Sequence, residues 1–174
     1  MPMMQMRNSR AFEGRVRQHL RPSVPPSNTP TATVGRPPTR KDPDMTKRRL
    51  ISTGSPFEKV AGYSRAVVQE EWCWVSGTTG YDYAAMSMPE SVEDQTRNAM
   101  ATITKALNEG GFLLADVVRV TYYITDAAMM DVVFPIVGEF FADVRPAATM
   151  IVCGLVKPEM KIEIEVTAKR PEKD

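Results

Sequence analysis

The sequence predicts an α+β fold: one mixed sheet of about six strands with two helices on one of its faces. Three observations carry this. The run Lys161-Ile162-Glu163-Ile164-Glu165-Val166 alternates strictly, so Ile162, Ile164 and Val166 share one side of a strand while Lys161, Glu163 and Glu165 share the other. Two segments, after Ser91 and after Asp126, repeat apolar residues at helical spacing behind good N-cap residues. The chain order is three strands, helix, strand, helix, two strands, and two helices cover only one side of such a sheet.

Taken in order, residues 50–53 predict a short first strand that Gly54-Ser55-Pro56 breaks. Residues 65–70 and 72–76, rich in Val and Trp, predict an antiparallel pair turning at Glu70-Glu71. Gly77 and Gly80 then open a loop through Tyr81-Asp82-Tyr83. Ser91 caps the first helix, and Glu93 and Asp94 sit in its first turn, where the helix dipole favours negative charge. Its apolar face holds Val92, Thr96, Ala99, Ile103, Ala106 and Leu107, and Gly110-Gly111 ends it by taking left-handed backbone. Residues 117–125, β-branched and aromatic, predict the next strand. The second helix carries Met130, Val133, Phe134, Val137, Phe140 and Phe141; Pro135 removes one of its hydrogen bonds and predicts a kink or a late start. Arg145-Pro146-Ala147-Ala148-Thr149-Met150 leads into the penultimate strand.

Composition bounds what this fold does. The 174 residues fit one domain with a tail, at 43% hydrophobic content. Net charge is +1, yet residues 1–44 hold eight Lys or Arg against three acids, which leaves −4 on the rest. The folded part thus lacks the basic character that draws nucleic acid, and no nucleic-acid partner is expected. Residues 1–44 also hold eight of the fourteen prolines and predict a disordered extension ahead of a domain at 45–174. Its arginines between Arg7 and Leu20 leave three readings open: a targeting peptide, a dispensable tail, or an upstream extension of a reading frame that starts at Met45. No apolar run approaches about 18 residues, so no membrane partner is expected. The single histidine, His19, is in the tail, so no metal, cofactor or histidine triad is expected in the folded part. Cys73 and Cys153 lie in apolar runs without metal-ligand spacing and predict free thiols in a reducing, cytoplasmic compartment.

One face of the sheet stays bare. In Trp72-Cys73-Trp74-Val75 both alternating sets are apolar, so both sides of that strand call for burial. Copies of the chain are therefore expected to pack those faces together in a closed homo-oligomer, with a small-molecule site in the clefts between subunits.

The stretch from about residue 47 to 169 resembles the Rid family, also called the YjgF family, of small enamine/imine deaminases. The residues that carry the resemblance include Gly62-Tyr63, Ser76-Gly77, Asn108-Glu109-Gly110-Gly111 and Asp116-Val117-Val118. Phe140-Phe141, Arg145-Pro146-Ala147 and Lys161-Ile162-Glu163-Ile164-Glu165 complete it. It implies a chorismate-mutase-like fold, assembled as a homotrimer around a central barrel with three interface clefts. Members of the family hydrolyse imines or enamines derived from amino acids, such as 2-aminoacrylate, to a keto acid and ammonia. That chemistry needs a guanidinium to hold the substrate carboxylate and an acid or base to manage protons as water reaches the imine carbon.

The resemblance places the acid at Glu163, with Tyr63 and Gly77 lining the cleft. The arginine expected two residues after the proline is replaced by Ala148. Losing such an anchor costs about 2–5 kcal/mol, so activity on 2-aminoacrylate is expected to be absent or weak. The chain thus looks like a member of an arginine-lacking subgroup. Arg145 is a candidate replacement, though its odd offset from Ala148 turns it to the opposite side of a strand. Met150 and Cys153 either line the cleft or pack the core. Glu163 could equally pair with Lys161, and Tyr63 could serve a subunit contact. Three functions stay open: a deaminase or hydrolase of small imines, enamines or related C–N compounds, a small-ligand-binding protein, and a chaperone-like trimer.

Overall fold

The structure, a computed structural model, describes residues 47–83 and 85–171. The extension expected at 1–44, with His19, lies outside the described residues. Six strands form one sheet: β1 (Arg49–Ile51), β2 (Ala66–Gln69), β3 (Trp72–Thr79), β4 (Val117–Ile124), β5 (Ala147–Val152) and β6 (Ile162–Lys169). Their spatial order is β1-β2-β3-β6-β4-β5. All neighbours are antiparallel except β4 and β5. A parallel pair needs a crossover, and helix α3 (Met130–Phe141) supplies it. The last strand thus inserts into the middle of the sheet, where its alternation is read out in full: Ile162, Ile164, Val166 and Ala168 are buried, and the residues between them are half-buried.

The core lies between the sheet and the long helix α2 (Val92–Gly110), which packs on β3, β6 and α3. Ser91 caps α2 by accepting from the Asp94 amide at 3.0 Å, and Gly111 ends it at φ 78. The predicted apolar face turns inward, together with Met100 and the polar Gln95. Gln95 is fully buried because it ties three segments. Its Nε2 donates to the carbonyls of Pro89 (2.7 Å) and Glu159 (2.9 Å), and its Oε1 accepts from the Lys161 amide at 2.8 Å. These bonds fix the entry to β6. Burial also pushes the Cys73 thiol up to about 11, as befits a core cysteine.

Four details differ from the sequence expectation. A third, short helix α1 (Pro56–Ala61) stands where no helix was expected; Pro56 opens it and Gly62 closes it at φ 68. β3 runs on to Thr79, so Gly77 lies inside a strand and not in a loop. Asp126 caps a 3-10 turn at Ala127–Met129, accepting from the Ala128 amide at 2.9 Å, and α3 begins only at Met130. Pro135 sits within α3 and does not start it.

Among the described residues of one chain nothing covers the other sheet face, although the apolar pattern of β3 calls for its burial. Trp74 is 43% exposed there, and Ile151 is 42% exposed on edge strand β5.

Candidate active site around Glu163

Glu163 sits on the uncovered face, paired across β6 with Thr79 of β3 and Tyr123 of β4. Its room comes from a bulge. Val75 pairs with Val166 and Thr78 with Ile164, so Ser76 and Gly77 together oppose a single residue of β6. The Glu163 carboxylate lies against the bare Cα of Gly77. A Cβ at that position would stand 1.9 Å from Glu163 Oε1 and 2.9 Å from its Cδ. Gly77 is therefore glycine because a carboxylate occupies the place of its side chain.

The bulge is held from the segment ahead of β2. The Ser76 amide donates to the Arg65 carbonyl at 3.0 Å, and Ser76 Oγ donates to the Ser64 carbonyl at 2.7 Å. Arg65 Nη1 donates to the Gly77 carbonyl at 2.7 Å and to Thr78 Oγ1 at 2.9 Å. Its Nη2 reaches Tyr63 Oη at 3.4 Å, with the guanidinium 5.7 Å from the centre of the tyrosine ring. Arg65 is 3% exposed, and its Nε has no hydrogen-bond partner.

Burial, the largest effect, raises the Glu163 carboxyl above the usual carboxylate range; the Arg65 charge opposes it and the Glu165 charge adds to it. Tyr123 donates to Glu165 Oε1 at 3.0 Å, and that bond raises the phenol. Beside this cluster the sheet forms a hollow of 340 Å³ lined by Val67, Trp74, Ser76, Arg119, Thr121 and Glu165. Lys161 does not pair with Glu163; its ammonium donates to the Glu90 carbonyl.

Of the residues expected at the site, the structure brings together Tyr63, Gly77 and Glu163. Ala148 pairs with Val120 and Met150 with Tyr122, both of which face the helices, so within one chain they lie on the opposite side from Glu163. Met150 packs against the core. Cys153 follows β5, its amide donating to the Ile124 carbonyl at 2.9 Å. Arg145 stays at the end of α3, at φ 49, where its Nε donates to the Ala142 carbonyl at 3.2 Å. The residue that sequence reasoning missed is Arg65. It heads an apolar strand two positions after Tyr63, and its partners lie 12 and 13 residues on, visible only once the β2–β3 register is known.

Among the described residues no group of three or more His, Cys, Asp or Glu side chains is arranged to hold a metal ion. The fold is similar to that of Rv2704 from Mycobacterium tuberculosis, a member of the YjgF/YER057c/UK114 family. The two are 35% identical over 71% of this chain and 100% of that one, at a TM-score of 0.66. It is also similar to YyfA of Yersinia pestis, a Rid-family protein of unknown function (22% identical, 71% and 100% covered, TM-score 0.65). The YjgF gene product of E. coli is a third match (21% identical, 71% and 99% covered, TM-score 0.64). The family described as Endoribonuclease L-PSP matches residues 53–170. With that match spanning nearly all of the described sheet and helices, the chain belongs to the Endoribonuclease L-PSP family, that of YjgF and the Rid proteins.

Proposed function

We propose that this protein hydrolyses a small imine, enamine or related C–N compound in clefts between the subunits of a cytoplasmic homotrimer, with Glu163 managing the protons. The observation that carries the reading is the half-buried Glu163 carboxylate, seated on Gly77 and raised by burial. A carboxylate so placed takes a proton from water while the water oxygen bonds to the imine carbon and the C=N pair moves to nitrogen. The nitrogen gains protons, the new hydroxyl loses one, and ammonia leaves as the carbonyl forms. Imine and water give carbonyl and ammonia, with no oxidant or cofactor needed.

Two features support assembly. The uncovered face carries Trp74 and Ile151, and β5 presents Ala147, Ala148 and Thr149 as exposed side chains on an edge. Ala148 and Glu163, on opposite faces of one chain, meet in a single cleft only if neighbouring copies contribute one each. Since Ala148 provides no carboxylate anchor, the substrate is one that lacks a carboxylate or does not depend on it.

The test is ammonia release from imines formed in situ by an amine oxidase and by an amino-acid oxidase, with wild type and Glu163→Gln compared. Catalysis that falls at least tenfold in Glu163→Gln supports the reading. Equal rates with both proteins, or none with either, would refute it. The missing anchor also favours a second reading, a ligand-binding trimer without turnover. That reading requires tight binding of the same compounds to Glu163→Gln.

A further inference from the structure

We infer that Arg65 is the positioning residue of this cleft: it locks the bulge on which the Glu163 carboxylate rests and sets a positive charge beside it. The inference rests on the proposed role of Glu163 and goes beyond it. Arg65 and Glu163 meet at one residue, Gly77. The guanidinium holds the Gly77 carbonyl at 2.7 Å, and the carboxylate fills the space over its Cα.

A staple for a bulge does not need charge, since an amide or hydroxyl also donates to a carbonyl. Burying a guanidinium is costly unless it is matched by negative charge. The Arg65 charge lowers two carboxyls, Glu163 and, as the least of several effects, Glu58 of α1. The groups facing Glu163 are Thr79 and Gly77 of β3, Tyr123 of β4 with Cys153 beyond it, Glu165 of β6, and Arg65, against which Tyr63 lies. Arg65 alone among them is positive. Its charge opposes burial and Glu165, which still leave the carboxyl raised, and so favours the form of Glu163 that accepts a proton. Its bond to Tyr63 Oη leaves the phenol hydrogen free to point at a ligand.

The experiment follows the Glu163 side-chain carboxyl by carbon NMR through a pH titration of the full chain, alongside ammonia release. In Arg65→Gln the titration midpoint should move to higher pH, and the acid limb of the rate profile should move with it. In Arg65→Lys the charge remains, so the midpoint should stay near wild type while kcat falls at least tenfold with little change in KM, because one ammonium cannot keep the Nη1 bonds to Gly77 and Thr78 together with the Nη2 bond to Tyr63. Glu165→Gln should move the midpoint down. If Arg65→Gln does not fold, Arg65→Met replaces it, since apolar residues of similar size often substitute for buried charges. Unfolding of both would show a structural staple only and overturn the inference. An unmoved midpoint in a folded variant would also overturn it, yet leave the role of Glu163 intact if Glu163→Gln is inactive. A moved midpoint in a protein without hydrolytic activity would sink the proposed function and leave the Arg65–Glu163 coupling standing.

Discussion

Gly77→Ala isolates the contact on which the site is built. The added methyl would lie 1.9 Å from Glu163 Oε1, 2.9 Å from Cδ and 3.2 Å from Cγ. Carbon–oxygen contact needs more than about 3 Å, so the carboxylate must retreat by over about 1 Å. The group that yields is the far end of a flexible side chain, and Gly77 is not at a positive φ. Stability should therefore fall only by about 0.5–1.5 kcal/mol, the cost of an off-rotamer side chain. Activity should fall far more, since a misplacement of about 1 Å at a reacting group costs on the order of 100-fold. The assay pairs ammonia release with thermal unfolding. Glu163→Asp supplies an internal control: alone it should lower the rate, but in the Gly77→Ala background its shorter side chain relieves the closest contact, that of Oε1, and should recover part of the loss. A Gly77→Ala protein with wild-type rate would refute the claim that the seated carboxylate does the chemistry. One that unfolds would refute the claim that the methyl meets only a mobile side chain.

Ala148→Arg should raise ammonia release from 2-iminopropanoate at least tenfold by restoring a carboxylate anchor worth about 2–5 kcal/mol; no gain in an intact assembly would separate this cleft from that of the deaminases. Gln95→Ala should cost about 3 kcal/mol, read by denaturant unfolding, because it strands the Lys161 amide and two carbonyls at the entry to β6. The two glutamates around Arg65 should respond to pH with opposite signs. The Glu163 carboxyl is raised in the folded chain, so its stabilising contribution is present below its ordinary value of 4.5 and lost as pH rises through the folded value. Glu163→Gln should thus match or exceed wild-type melting temperature at neutral pH, with the advantage vanishing in acid. Glu58 is lowered: burial pushes it up, but the Ser52 and Thr53 hydroxyls, the Thr53 amide and Arg65 outweigh that. Its contribution is present above 4.5 and lost as pH falls through the folded value, so Glu58→Gln should destabilise at neutral pH and match wild type in acid.

What the sequence disclosed follows from which signals are local. The alternation of β6 was readable because strand period maps directly onto burial, and Ser91 and Gly111 marked the ends of α2 by capping chemistry alone. Helix α1 was hidden because six residues are too few for a period. Ser55 was a poor guide as well: its hydroxyl caps nothing, and the true markers were Pro56 and Gly62. Gly77 was misplaced because glycine usually signals a turn, whereas here it signals the close approach of a side chain from another strand. Non-local order decided the rest. Ala148, Met150 and Glu163 belong to strands that β4 separates, so which faces they share depends on a sheet order that no local pattern encodes.

Arg65 shows how such a non-local arrangement resolves a conflict between folding and chemistry. A carboxylate on an open strand face would ionise freely and stay solvated, too weak a base and too mobile to direct water. Burying it strengthens the base but drives it toward the protonated form, in which it no longer accepts a proton. A guanidinium fixed behind the same peptide unit reconciles the two. It leaves the carboxylate partly desolvated, opposes by its charge the rise that burial causes, and fixes its seat through Gly77. Glu58 of α1 also feels the Arg65 charge, the least of the effects that lower its carboxyl. On the proposed reading, a chain with Ala148 still has a guanidinium beside Glu163, directed to the protein's own carboxylate and not to a substrate's.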